Sequence, residues 1–212
     1  MMSRKLQVTV LLAGVMTLSG VVISCGENRS AAETELRVEV GPQQKKFVDA
    51  ALWQIGKTTS YNPAYVGLEY PMGDIPIEKG VCTDVVIRAM RKAWEKDLQE
   101  LVHKDMKANF SKYPKRWGLK STDKNIDHRR VPNLRTYFKR QGWSLAVTDK
   151  KESFKPGDLV TCTVAGNRPH IMIVSDRMNE DGVPYVIHNI GGGTQEEDCL
   201  FTYPLTGHYR VK

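Results

Sequence analysis

The stretch GVCTDVVIRAMRKAW, residues 80–94, sets a cysteine at the head of an apolar helix. Val85, Val86, Ala89, Met90, Ala93 and Trp94 recur at helical spacing and make one buried face. Cys82 therefore falls in the first turn. There the positive end of the helix dipole and the free backbone N–H groups favour a thiolate, the form of sulfur that attacks a carbonyl. The same position also suits a small residue that only fills space. A thiol nucleophile needs a base, and the base needs a group that orients it. Among five histidines, His170 opens the apolar run HIMIVSD and His188 lies in YVIHN. Asp181-Gly182 between them marks a hairpin. Strand register then decides what meets. An even register puts His170 and His188 on one sheet face, and a one-residue slip substitutes Asn189 for His188. Either side chain would orient the His170 imidazole through its second nitrogen. Two polar groups beside the cysteine helix are costly to bury without a use.

Asp127, His128, Arg129 and Arg130 crowd four ionisable groups ahead of a short helix. They read either as a solvated helix start or as a recognition cluster whose guanidiniums hold a substrate carboxylate. Asp84, two residues after the cysteine, and Tyr65 complete the candidate substrate-binding set. Tyr65 shares its loop with Tyr61 and Tyr70, which either line a groove or cover the core edge. His103, in the amphipathic LVHKDM, is expected at the surface, and His208, in TGHYR, has no evident partner. No CxxC or zinc-like Cys/His spacing occurs, so neither a metal nor another cofactor is expected. There is no GxSxG elbow, P-loop or GxGxxG ahead of a helix. Gly191-Gly192-Gly193 precedes the acidic TQEED, which would repel phosphate, and the segment is read as a loop.

The positioning elements begin after an N-terminal signal. Arg4 and Lys5 precede an apolar run over residues 6–23, which ends in Val22-Ile23-Ser24-Cys25. Such a pattern is a secretory signal, and its V-I-S-C end resembles a bacterial lipoprotein box. Residues 1–24 are then removed and Cys25 carries lipid. A transmembrane anchor competes less well, because the apolar run is short and mixed. The chain is expected to be exported and membrane-anchored, at the outer membrane if the cell has two. Residues 25–41 read as a polar tether, and residues 42–212 as one domain. Of the four cysteines, three remain beyond Cys25, so an exported chain keeps at least one free thiol. Whether Cys162 and Cys199 pair is left open by the sequence. The net charge is +7, or +5 without Arg4 and Lys5. A scattered basic excess suits cell wall or lipid headgroups. It lacks the basic helix with interleaved aromatics that would mark a nucleic-acid binder.

Within the domain, helices are predicted over residues 43–55, 82–96 and 98–110, with a shorter one inside 125–142. Residues 57–80 are loop, rich in Gly, Pro and Tyr. Strands follow in FKPGDLVTCTV, HIMIVSD, YVIHN and CLFTYPLTGHYRV. Helices first and an antiparallel sheet after them give an α+β fold.

The order of cysteine helix, PGDLV, PHIMIVSD and YVIHN resembles the NlpC-like branch of the papain superfamily. More closely, GVCTDVVIRA, YPKRWGL, NIDHRRVPNL, KPGDLV, PHIMIVSD and IHNIG resemble a bacterial family of exported proteins of unknown function in that papain-like clan. The closer likeness spans about residues 46–210. It implies a papain-like fold with the nucleophile helix packed on the sheet. It also implies Cys82 as nucleophile, His170 as base and His188 as orienter. The activity so implied is hydrolysis of peptide or amide bonds, with the peptidoglycan stem peptide as the accessible polymer. A lipid acyl hydrolase or acyltransferase on the same triad, and a non-catalytic wall-binding module, are the alternatives. Two departures stand out. Cys82 and His170 lie 88 residues apart, with WGL and IDHRR in the insertion, and Val81 replaces the aspartate that usually precedes such a cysteine. Substrate choice therefore does not carry over from the family.

Overall fold

The predicted cysteine helix is realised as α2 (Cys82–Trp94), with Val85, Val86, Ile87, Ala89 and Met90 buried. It lies against α1 (Pro42–Leu52), which turns Phe47, Val48, Ala50 and Ala51 inward. Glu95 ends α2 in the left-handed region at φ 56°. The chain re-enters helix at α3 (Leu98–Ala108), where the Asp97 carboxylate accepts from the Gln99 backbone N–H. Side-chain capping of that kind satisfies one of the orphan donors of a first turn. A single 3-10 turn, Asp127–Arg129, leads into α4 (Val131–Arg140) with Leu134, Tyr137 and Phe138 buried as the spacing requires. This computed structural model describes residues 36–212; the expected signal peptide, the lipid site at Cys25 and most of the expected tether lie outside the described residues.

The second half is sheet. β4 (Ser144–Leu145), β5 (Leu159–Val164), β6 (Arg168–Met178), β7 (Pro184–Asn189), β8 (Thr194–Glu197) and β9 (Leu205–Tyr209) pair antiparallel in the order β4-β9-β5-β6-β7-β8. The period of two sorts their side chains into two cores. Leu159, Ile171, Ile173 and Ile187 join the helices, whereas Val160, Met172, Val174 and Val186 join Phe154 and Leu200 on the other face. The fold is therefore α+β, with α2 packed on β6 and β7 of the sheet.

Two expectations need correction. Residues 36–41 were assigned to the tether, yet β1 (Leu36–Arg37) pairs with Met178 and Arg177 at the far end of β6. The sheet edge there offers free backbone groups, and Val38 N–H adds a bond to Asp176 O at 2.8 Å. Residues 191–198 were read as loop, yet Thr194–Glu197 is β8, paired with β7. An edge strand can be polar on both faces, and charge there discourages further pairing. Its turn is tight. Gly193 has φ +94°, and a Cβ there would meet Thr58 O at 2.3 Å. Thr194 N–H donates to that same carbonyl at 2.8 Å. The turn thereby grips the loop of β2 (Ser60–Tyr61), which pairs with β3 (Lys79–Gly80) just ahead of the cysteine.

Candidate active site

Three interactions hold the turn that carries Cys82. Asp84 Oδ2 accepts from the Val81 backbone N–H at 2.7 Å, closing the first turn of α2. Arg129 clasps the same carboxylate with two bonds, Nε to Oδ1 and Nη2 to Oδ2, each 2.9 Å. Asn189 Nδ2 donates to Gly80 O at 3.2 Å and Ser60 O at 3.3 Å, fastening the turn to the end of β7. The β6–β7 ladder runs from Ile173–Ile187. Beyond that pair the cysteine turn enters, and the sulfur faces the backbone of Ile171.

Cys82 is 4 % exposed. Burial pushes its thiol up to about 12, and the Asp84 carboxylate adds to that, against the pull of backbone N–H groups from Ile171, Thr83 and Cys82 itself. The sequence led us to expect a thiolate. Loss of water outweighs the helix start, and the resting sulfur is a neutral thiol.

The candidate base is built on the sheet. Partners Ile173–Ile187 and Val174–Val186 set the even register, so His188 and not Asn189 joins His170. His170 Nε2 and His188 Nδ1 are 2.7 Å apart. His188 Nε2 lies 2.8 Å from Glu197 Oε2, and Cys199 Sγ lies 3.6 Å from that nitrogen. A carboxylate only accepts, so His188 carries its proton on Nε2. Its Nδ1 then accepts from His170 Nε2–H, and His170 Nδ1 is left as a free lone pair. Burial lowers His170 to about 3, with His188 as a lesser cause. Burial also lowers His188, against the pull of Glu197. Both rings are neutral at neutral pH.

Cys82 and His170 line two adjoining cavities that share Tyr61 and Pro169. No hydrogen bond joins the sulfur to the ring; such contacts are often long before substrate is bound. The cavity of Cys82 measures about 250 Å³, and its walls include Tyr61, Trp117, Arg129 and Arg130. Burial first, and then Cys82, push the Tyr61 phenol up to about 12, so it stays an O–H donor.

The other predicted substrate residues divide. Arg130 faces this cavity. Asp84 and Arg129 neutralise each other, and Arg129 also donates to Ala64 O and Asn62 O at 3.3 Å; neither is available to a substrate carboxylate. Asp127 is buried and accepts from Asp123 N–H at 2.6 Å. Burial raises it to about 6. His128 is buried away from the cavity walls, and burial lowers it to about 3. Tyr65 is exposed, and its hydroxyl bridges Asp123 and Asn125 at 3.0 and 2.9 Å. It ties two loops together and does not line the cavity of Cys82. His208, which had no evident partner, bonds Asp158 at 2.7 Å, and Arg210 holds the same carboxylate. Cys162 and Cys199 are unpaired thiols.

Sequence reasoning missed Glu197 and Trp117 at this site; of the three tyrosines that could line a groove or cover the core edge, Tyr61 lines the cavity. Glu197 lay in the segment taken for loop. Its one signal was its place a few residues beyond His188 after a glycine run, which is hairpin spacing. No metal was expected from sequence spacing, yet His188, Glu197 and Cys199 bring donor atoms within 4.8 Å of one another. In this structure they are a hydrogen-bonded cluster.

The family model "Domain of unknown function (DUF1287)" matches residues 48–211. The uncharacterized protein YijF of Escherichia coli strain K12 is 52% identical over 164 residues, covering 77% of this chain and 80% of that one. Two solved structures are similar at low identity. An N-acetylmuramoyl-L-alanine amidase from Bacteroides uniformis is 12% identical with a TM-score of 0.47, over 80% of this chain and 98% of that one. NlpC1 from Trichomonas vaginalis is 13% identical with a TM-score of 0.41, over 85% of this chain and 49% of that one.

Proposed function

The chain belongs to the family of the domain of unknown function DUF1287, and we propose that it is a cysteine hydrolase of amide bonds in peptidoglycan stem peptides. The observation that carries this reading is the relay of buried His170 and His188 and partly exposed Glu197 beside the cavity of Cys82. Its proton order leaves a lone pair on His170 Nδ1. In the reaction, that nitrogen takes the thiol proton as sulfur bonds to the carbonyl carbon. Backbone N–H groups at the start of α2 stabilise the oxyanion. The intermediate collapses, and the amine leaves with the proton from His170. Water, deprotonated by the same ring, then attacks the thioester and restores the thiol.

The cell wall as substrate rests on the sequence resemblance and on the expected export signal, which would tether the enzyme through Cys25 on the outer side of a membrane. The cavity favours a peptide over a lipid, because its walls carry Tyr61, Arg129 and Arg130 and it encloses only about 250 Å³. Incubation of the purified protein with sacculi tests the reading. Release of muropeptides is expected, with product masses that name the bond, and Cys82→Ala abolishes it. Undiminished release by Cys82→Ala ends the proposal. Cleavage of an acyl-ester probe with no release from sacculi transfers the site to the lipid reading.

A further inference from the structure

Two neighbouring guanidiniums stand in the wall of the Cys82 cavity, and their situations differ. Arg129 is fully occupied by Asp84 and by two loop carbonyls. Arg130 is not. Its Nη1 is buried and has no hydrogen-bond partner among the described residues. Its planar face lies on the Trp117 ring, 4.2 Å from guanidinium carbon to ring centre. Arg116, exposed on the same wall, adds a second positive charge 5.4 Å from that ring. The acids that act on Arg130 through space are Asp127 and Asp123; no hydrogen bond joins either to the buried Nη1, although Asp127 Oδ1 is itself buried without a partner among the described residues. Asp127 accepts from the Asp123 backbone, and Asp123 accepts from Tyr65 and from the Asn125 backbone.

A buried charged N–H without an acceptor is unfavourable, and it is relieved only when an acceptor enters. Stacking on an aromatic ring fixes the plane of a guanidinium and leaves its edge for a planar anion. That edge matches a carboxylate through two parallel bonds. The cavity, at about 250 Å³, is smaller than the roughly 300–1,000 Å³ of a drug-sized ligand site. It has room for about one residue. We infer that Arg130, stacked on Trp117, is the substrate-binding group of this site: it holds a free carboxylate on the residue next to the scissile carbonyl. The preferred substrates are then acidic peptides, cut beside a residue that bears an unamidated carboxyl group. The place of the carboxylate relative to a scissile bond rests on the hydrolase reading; its capture by Arg130 does not.

The probe is a muropeptide mixture, used as prepared and after carbodiimide amidation of its carboxylates. The wild-type protein is expected to cleave the free acids with kcat/KM about tenfold to a hundredfold above the amides, the range of a charged hydrogen bond. In Arg130→Gln that gap closes to less than about threefold, chiefly through a higher KM. Arg130→Lys, which keeps charge but not the fork, recovers part of it. A preference unchanged in Arg130→Gln overturns the inference. Binding of the same two mixtures to Cys82→Ala and to Cys82→Ala/Arg130→Gln, read by calorimetry, separates the two ideas. Discrimination in binding that depends on Arg130, without hydrolysis by any form, sinks the hydrolase and keeps the clamp. Equal binding of both mixtures by Cys82→Ala sinks the clamp and leaves the hydrolase standing.

Discussion

A proton on one nitrogen decides whether His170 can act as a base. Glu197 accepts from His188 Nε2, and through that bond it dictates which nitrogen of His170 is bare. Glu197→Gln offers an amide in place of the carboxylate and unlocks the order. A drop in kcat of at least about tenfold is expected with little change in KM, because the residue touches no substrate. Glu197→Asp should recover part of it. Steady-state kinetics of the two variants check this. The pH response follows from burial. His170 is lowered to about 3, so it stays unprotonated well into acid. Activity is expected to hold level from about pH 8 to about pH 5, without the inflection near 6.5 of an ordinary imidazole. The thiol, raised to about 12, should react slowly with iodoacetamide at neutral pH, with a rate still climbing at pH 10. A plateau of alkylation below about pH 8 would show that the sulfur rests as thiolate.

At the scale of elements, α2 is locked to the 3-10 turn ahead of α4 by a buried ion pair. The Asp84–Arg129 pair is almost fully buried, with side chains 4 and 2 % exposed. Arg129→Met leaves a carboxylate uncompensated in the core, at a cost of about 3–5 kcal/mol. Urea unfolding measures it. The double variant Asp84→Leu/Arg129→Met should recover most of that loss, since a well-packed apolar pair can replace a buried ion pair. The strands that carry His170 and His188 were legible because their faces alternate or are wholly apolar. β8 was not legible, because Thr194–Glu197 is polar on both faces and offers no period to read. With it Glu197 was lost. The choice between Arg129 and Arg130 was hidden for another reason. Both fall at the exit of a 3-10 turn, where adjacent side chains diverge, and only packing shows which one Asp84 claims.

At the scale of the whole molecule, layer order was legible from the switch of period near residue 154, since the α-helices precede every strand of the main sheet but the two-residue β1. The cavity was not, because its walls come from loops 57–80 and 114–132, whose path no periodicity records. Acid stability is set by the same burial that shapes the site. His128 and His170, each lowered to about 3, and His188, lowered in the same direction, take up protons in the unfolded chain before they do in the native one. Stability therefore rises with pH across that interval and falls on acidification below about 6.5. Asp127, raised to about 6, opposes this, because the native state keeps a proton that the unfolded chain releases. Three imidazoles outweigh one carboxyl, so Tm is expected to fall between about pH 6.5 and about pH 4.5. In His128→Gln the fall should be shallower by roughly 2–3 kcal/mol in unfolding free energy, read from thermal melts over that range. The turn at Gly193 has a consequence for anyone who would re-tool this site. One bank of the cavity is bolted down there, since any side chain at that glycine would ram the backbone of Thr58 and Thr59, just ahead of the strand that carries Tyr61. The opposite bank, around Arg116 and Trp117, has no such bolt. Directed evolution toward new cargo will find its workable diversity on that shore.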